Sequence, residues 1–98
     1  MKEINYEFSA RTWQHSPPGG WHFVSLPADM AKEIRENFGW QEEGWGRLKA
    51  TAEIGKSVWK TAILFDTKHQ TYILPLKAEI RKKEEIEPDK NIKIIIWI

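Results

Sequence analysis

The stretch Leu74-Pro75-Leu76-Lys77-Ala78-Glu79-Ile80-Arg81 decides the fold. Pro75 has no backbone N–H, so it ends a strand ladder and fits the entry to a helix. Leu76 and Ile80 lie four residues apart, which is the spacing of one helical face. The apolar run at residues 91–98 predicts a strand that is buried on both faces or that seals a barrel. This segment therefore indicates a strand, a short helix and a closing strand in succession.

The same order of elements occurs earlier in the chain. A strand pattern at residues 21–26 ends at a proline, a helical pattern follows over residues 28–37, and a strand pattern occupies residues 46–54. The repetition predicts a mainly β domain with two short helices, a small barrel made of two pseudo-symmetric halves at approximately residues 1–54 and 55–98. Two dipeptides recur in matching places, at Leu26-Pro27 and Leu74-Pro75 and at Ile34-Arg35 and Ile80-Arg81.

Alternating apolar and polar residues define further strands. The alternation at residues 4–11 and 47–54 predicts strands with one buried face. Gly55-Lys56 predicts a tight turn that returns residues 58–65 as the hairpin partner. Residues 14–20 contain two prolines and two glycines, so we expect a connector there.

The ends of the first helix are predicted from its flanking residues. Asp29 is a preferred residue type for the N-cap, and Gly39 supplies the position after the C-terminus. Between them, Met30, Ile34 and Phe38 have the four-residue spacing of one buried helical face.

The composition fits one globular domain. Its 98 residues are 41% hydrophobic, include six tryptophans and carry a formal net charge of +1. This balance argues against a dedicated nucleic-acid-binding protein, which usually has a strongly basic face. The chain has no cysteine, which excludes disulfides, thiolate catalysis and cysteine metal sites. Because there is no signal-peptide pattern and no bilayer-length apolar run, we expect a cytoplasmic protein that does not contact a membrane.

Few residues suggest catalysis or metal binding. His15, His22 and His69 lie in separate segments, without the spacing of a metal site. There is neither a Gly-x-Ser-x-Gly elbow nor a glycine-rich phosphate loop. Glu42 and Glu43 are adjacent on a predicted loop, where two carboxylates rarely converge on one atom. We therefore predict no catalytic residue, no metal site and no cofactor.

The tryptophans are candidates for a ligand site. Trp40 and Trp45 lie in a glycine-containing loop where no pattern predicts their burial, and Trp59 lies in a predicted strand. Aromatic rings of this kind could line a cleft for a sugar, a base or a peptide. The alternative, which we favour, is that a small barrel uses tryptophan to fill its interior and cap its ends.

Three cations form a candidate anion site. Lys77 and Arg81 are four residues apart and share one helical face, and Arg47 is the suggested third member. Together they would bind a phosphate or a carboxylate. The favoured alternative is that Arg35 and Arg81 are helix-end cations, which donate hydrogen bonds to neighbouring carbonyls or pair across the pseudo-twofold axis.

Four ordered motifs resemble a known family over nearly the whole chain. They lie at residues 19–27 (Gly-Gly-Trp-x-Phe-Val-x-Leu-Pro), 44–54 (Gly-x-Gly-Arg-Leu-x-Ala-Thr-Ala-x-Ile), 59–61 (Trp-Lys-Thr) and 72–77 (Tyr-x-Leu-Pro-Leu-Lys). This order is similar to the domain of unknown function 1905 family of small bacterial proteins. The resemblance implies a double-split β-barrel, and the family has no assigned activity.

A second resemblance concerns residues 74–98. They are similar to the swapped-hairpin motif of AbrB-type transition regulators and MazE-type antitoxins, with Asp89-Lys90 at the positions of the Gly-Asp turn. Asp tolerates the left-handed conformation that such a turn requires. AbrB-type proteins obtain two motif copies by dimerising, whereas this chain has both copies itself.

These observations support a non-catalytic binding or interaction module. Its expected partner is a small anionic ligand, one that stacks on an aromatic ring, or another protein, and its expected state is a monomer or a weak homodimer. Nucleic acid is possible but not favoured. The alternatives are an AbrB-like or antitoxin-like nucleic-acid-binding regulator and a small enzyme, the latter requiring a deep pocket with convergent polar groups.

Overall fold

The computed structural model of the protein describes residues 4–16, 19–44 and 46–98. Neither helix in this part of the chain is long and apolar enough to cross a membrane. A short 3₁₀ helix, Gly39–Gln41, follows the first helix directly. The remaining elements, in chain order, are β1 (Asn5–Gln14), β2 (His22–Ser25), α1 (Ala28–Phe38), β3 (Arg47–Ile54), β4 (Ser57–Asp66), β5 (Thr71–Pro75), α2 (Ala78–Lys83) and β6 (Asn91–Trp97).

The six strands close into an antiparallel barrel in the order β1-β2-β5-β4-β3-β6. β1 pairs with β6 from Asn5 to Arg11, and β3 pairs with β4 along its whole length. The other ladders are short, and in one of them Val24 of β2 lies opposite Leu74 of β5. The predicted mainly β barrel with two helices is confirmed, whereas the pseudo-symmetry of its halves stays a prediction.

Every second residue of β1 and β3 points into the barrel interior, as the alternating patterns predicted. β6 seals the barrel with one face only, because Ile94 and Ile96 are fully buried while Ile95 and Trp97 on its outer face are half-buried. Thr12 ties β1 to the loop before β6, since its hydroxyl donates to the carbonyl of Glu87 at 3.0 Å. The core also includes Tyr6, Phe8, Val24, Leu48, Ile63, Tyr72 and Leu74.

The extent of α1, Ala28–Phe38, agrees closely with the helical pattern at residues 28–37, but both predicted capping residues are wrong. The N-cap is Pro27, whose carbonyl accepts the Ala31 N–H at 2.9 Å, and Asp29 lies in the first turn instead. Proline suits this place because it has no N–H to satisfy. Gly39 has φ −57°, which is not left-handed, and the chain continues from it into the 3₁₀ helix.

β1 runs three residues further than the alternation at 4–11 indicated. Gln14 pairs with His22, and the His15 N–H then donates to the Trp21 carbonyl at 2.9 Å. The connector predicted at residues 14–20 is therefore shorter. Residues 17 and 18 of that connector lie outside the described residues.

Candidate ligand-binding site

One surface depression lies where the start of β2 meets the start of α2. The Leu76 N–H donates to the carbonyl of His22 at 2.8 Å, which fixes the segment before α2 against β2. The Arg81 N–H donates to the carbonyl of Lys77 at 3.0 Å in the first turn of α2. The depression has a volume of about 350 Å³. We call it the Trp21 depression, and it is lined by Gly19, Gly20, Trp21, His22, Leu76, Lys77, Ala78 and Arg81.

The Trp21 depression is positively charged. None of the described residues that line it is acidic, and neither Lys77 nor Arg81 forms an ion pair with a described residue. The Nε of Arg81 donates to the carbonyl of Leu76 at 3.2 Å. This bond orients the guanidinium and leaves its two terminal nitrogens for a ligand, because the group has five N–H donors in a fixed fork. The prediction that Arg81 bonds a neighbouring carbonyl is confirmed.

His22 adds a neutral polar group to this site at neutral pH. Burial lowers the pKa of its imidazole below the ordinary value of 6.5, and the Arg81 guanidinium lowers it further. A neutral imidazole has one N–H donor and one acceptor nitrogen. The site therefore carries two positive charges near neutral pH and a third when His22 is protonated.

An exposed ring forms one wall of the depression. Trp21 is 69% exposed, which is unusual for so large an apolar side chain. Its ring is close to parallel with that of Phe23, at 16° and with 6.5 Å between the centroids. Phe23 in turn lies 5.0 Å from Trp13. One face of the Trp21 ring therefore packs against Phe23, and the opposite face is exposed.

The tryptophans that the sequence indicated have different environments. Trp40 is 80% exposed, and its Nε1 donates to the carbonyl of Asn37 at 3.1 Å. Trp59 packs partly buried against the core, and its buried Nε1 has no hydrogen-bond partner among the described residues. Trp45 lies outside the described residues. Neither Trp40 nor Trp59 lines the Trp21 depression.

Arg47 is not brought together with Lys77 and Arg81. It lies at the start of β3, where its guanidinium pairs with Glu43 at 3.0 Å. It lines a separate depression of about 550 Å³ with Glu43, Gly44 and Leu64. The suggested three-cation site therefore reduces to Lys77 and Arg81. Trp21 and His22, which complete it, were not among the sequence candidates.

Two other depressions are larger than the Trp21 depression but are less suited to an anion. A third depression of about 480 Å³ lies beside α1, where Asp29 and Glu36 accompany the cations Lys32 and Arg35. The charges in it are balanced, as they are in the depression beside Arg47. Within the part of the chain that the structure describes, only the Trp21 depression of these three combines cations that lack an ion pair with an exposed aromatic ring.

Arg35 belongs to a structural cluster between α1 and the barrel. Its guanidinium lies 3.7 Å from the centre of the Phe65 ring and its Nε is 3.5 Å from a Glu42 carboxylate oxygen. The hydroxyl of Tyr72 donates to the same carboxylate. Burial raises the pKa of Tyr72, and the bond to Glu42 raises it further. The cluster links Arg35 of α1 to Phe65 of β4 and, through Glu42, to Tyr72 of β5.

The described residues contain no group of three or more His, Asp and Glu side chains placed to hold a metal ion. The nearest arrangement is the pair His69 and Asp66, with 2.6 Å between Nδ1 and the carboxylate oxygen. The hydrogen bond from His69 lowers the pKa of Asp66.

Comparison with protein families supports the family resemblance that the order of the four sequence motifs indicated. No match was found among the curated proteins. The similarity to AbrB-type and MazE-type proteins stays a prediction. The family model described as a domain of unknown function, DUF1905, matches residues 8–96, which cover both halves of the barrel and the Trp21 depression. This chain therefore belongs to the DUF1905 family.

Proposed function

We propose that this protein is a non-catalytic binding module that holds a small anionic ligand in the Trp21 depression. The observation that carries the proposal is the position of Lys77 and Arg81, two cations without a carboxylate partner among the described residues, beside the exposed ring of Trp21. The volume of about 350 Å³ lies at the lower end of the range for small-molecule sites.

Each lining group contributes a different interaction. Arg81 offers paired N–H donors that match a phosphate or carboxylate, and Lys77 adds a mobile point charge. Trp21 offers an apolar face on which a planar group can stack. A ligand with both a ring and an anionic group, such as a mononucleotide, engages all three side chains at once.

The residues that line the Trp21 depression offer few groups for catalysis, which favours a binding role over an enzymatic one. Among the described residues of the depression, His22 and Lys77 are the candidate general bases, and none has a hydroxyl or thiol that could act as a nucleophile. The small-enzyme alternative therefore has less support in this depression than ligand binding does.

The test is to titrate the protein at low salt with AMP, adenosine and inorganic phosphate separately. Binding is measured by tryptophan fluorescence and by thermal shift. We expect AMP to bind more tightly than either of its parts and to raise the melting temperature by mass action. In Lys77→Ala, which removes one charge–phosphate interaction, AMP affinity should fall by roughly tenfold.

A matched variant separates the local site from general charge. Lys49 is an exposed lysine on β3, three strands away around the barrel from β2. Lys49→Ala should leave AMP affinity unchanged. Equal losses in Lys49→Ala and Lys77→Ala, or no thermal shift with AMP at all, would contradict the proposal.

A further inference from the structure

Three aromatic rings form a continuous row on the outer surface of the barrel. The centroids of Trp21 and Phe23 are 6.5 Å apart, and those of Phe23 and Trp13 are 5.0 Å apart. Trp13 Nε1 donates to the hydroxyl of Ser25 at 2.9 Å, which orients the last ring. We call Trp21, Phe23 and Trp13 the aromatic row.

Strand pairing places the row outside. Phe23 lies opposite Trp13 in the ladder between β1 and β2. The neighbouring residues Thr12 and Val24 are buried inside the barrel, and successive side chains of a strand point to opposite faces. The row therefore runs from Trp21, just before β2, to Phe23 in β2 and then crosses to Trp13 in β1.

The row connects two depressions. Trp21 forms a wall of the Trp21 depression with its free cations. At the other end, Trp13 lines a smaller depression of about 250 Å³ together with Ser25 and His69. A ligand that follows the row would meet a cationic site at one end and polar groups at the other.

From this arrangement we propose that the row and the Trp21 depression together bind a short single-stranded nucleic acid, with one phosphate held by Lys77 and Arg81. The proposal rests on the proposed function, because it assigns the ligand class of the same site. Aromatic side chains on a β-sheet surface are a common platform for unpaired bases, and stacking tolerates any base sequence. Because Phe23 packs between the two tryptophans, Trp21 and Trp13 offer stacking for one base at each end of the row, which a trinucleotide can reach.

The small number of free cations sets the expected strength and salt dependence. A formal net charge of +1 and two cations in the site predict weak binding. Each neutralised phosphate of a single strand contributes about −0.7 to the slope of log affinity against log salt, so two cations predict a slope of about −1.4. A double strand hides its base faces from the row, so we expect it to bind less well.

The experiment is a fluorescence titration at about 50 mM salt with thymidine monophosphate and thymidine oligonucleotides of increasing length. Affinity should rise by about tenfold from the monomer to the trimer and then level off, because each stacked base adds binding free energy. A trimer of abasic nucleotides, with the same phosphates and no bases, should bind no better than the monomer.

Two variants and one control separate stacking from charge. Trp21→Ala changes an exposed ring and should weaken trimer binding by about tenfold. Trp13→Leu shortens the row at the end away from Lys77 and Arg81, and it should weaken the trimer while leaving the monomer unchanged. Trp40→Ala removes another exposed tryptophan, one outside the row, and should change the affinity of neither the monomer nor the trimer. Melting temperatures of all three confirm that each is folded.

The outcomes distinguish the two proposals. If the monomer binds and the trimer binds equally well, the row is not a binding surface and the Trp21 depression remains a small-anion site. If the abasic trimer binds as tightly as the intact one, charge alone is responsible and the stacking proposal is overturned. If neither monomer nor oligonucleotide binds, both proposals fail.

Discussion

The imidazole of His22 should make anion binding depend on pH. In the free protein, burial and Arg81 hold the pKa of His22 below 6.5. A bound anion favours the charged imidazolium and so raises that pKa. Binding therefore takes up a proton, and affinity should increase as the pH falls through the His22 pKa, by at most about tenfold per pH unit.

Sulfate is a suitable probe because its charge is constant over this range. We expect sulfate affinity, measured by tryptophan fluorescence between about pH 8 and pH 5, to rise as the pH falls. His22→Gln retains a polar side chain without a titrating group, so its affinity should be nearly independent of pH. Parallel pH profiles for the two proteins would show that His22 is not near the bound anion.

The hairpin between β3 and β4 depends on one glycine. Gly55 has φ +58°, and a Cβ at this position would lie 2.0 Å from a carboxylate oxygen of Glu84. That carboxylate accepts a 2.6 Å hydrogen bond from the buried hydroxyl of Ser57. The Glu84 side chain can move aside, but only by giving up its bond to Ser57.

Gly55→Ala should therefore destabilise the protein in two ways. The left-handed backbone costs about 1–2 kcal/mol for a residue with a Cβ, and the buried Ser57 hydroxyl without its partner costs about 1–3 kcal/mol more. Gly44 has φ +53° with no atom within 4 Å of its would-be Cβ, so Gly44→Ala carries only the first cost. Chemical denaturation measures the free energy of unfolding of both variants. Equal losses of stability would show that Glu84 adds nothing to the cost at Gly55.

Element boundaries were predictable only where local sequence determines them. The alternation of β3 gave its bounds directly, Arg47–Ile54, because both ends of that strand coincide with turns. The N-cap of α1 was missed because Pro27 becomes the N-cap only after Leu26 pairs with β5, through its N–H to the Tyr72 carbonyl at 2.9 Å. Because this N-cap depends on pairing with a distant strand, the local sequence does not show that Pro27, and not Asp29, caps the helix.

The candidate site depends on closure of the whole barrel, so sequence reasoning could identify only Lys77 and Arg81 among its four main side chains. Lys77 and Arg81 were identified from their spacing along one helix. Trp21 and His22 reach them only because β2 pairs with β5, two strands far apart in the chain. Arg47 was grouped with them on charge alone, and the barrel instead gives it a partner in Glu43. Spacing identifies neighbours within an element, whereas closure of the barrel determines neighbours between elements.

Barrel stability as a whole should fall at alkaline pH through its two tyrosines. Burial raises the pKa of Tyr72 in β5, with Glu42 adding to it, and burial followed by the charge of Glu33 raises the pKa of Tyr6 in β1. The folded state therefore keeps both protons where the unfolded state, with ordinary tyrosine values near 10, has lost them. Stability is complete below about pH 10 and decreases above it, by up to about 1.4 kcal/mol per pH unit for each tyrosine.

Tyr72→Phe tests this coupling. At neutral pH the variant should lose about 1–3 kcal/mol, because the bond to the Glu42 carboxylate is removed. From about pH 9 to pH 12 its free energy of unfolding should fall less steeply than that of the natural protein, since one proton no longer differs between the two states. Tyr6→Phe is the matched variant on β1. Denaturation curves that shift with pH by the same amount in all three proteins would show that neither tyrosine links barrel closure to protonation.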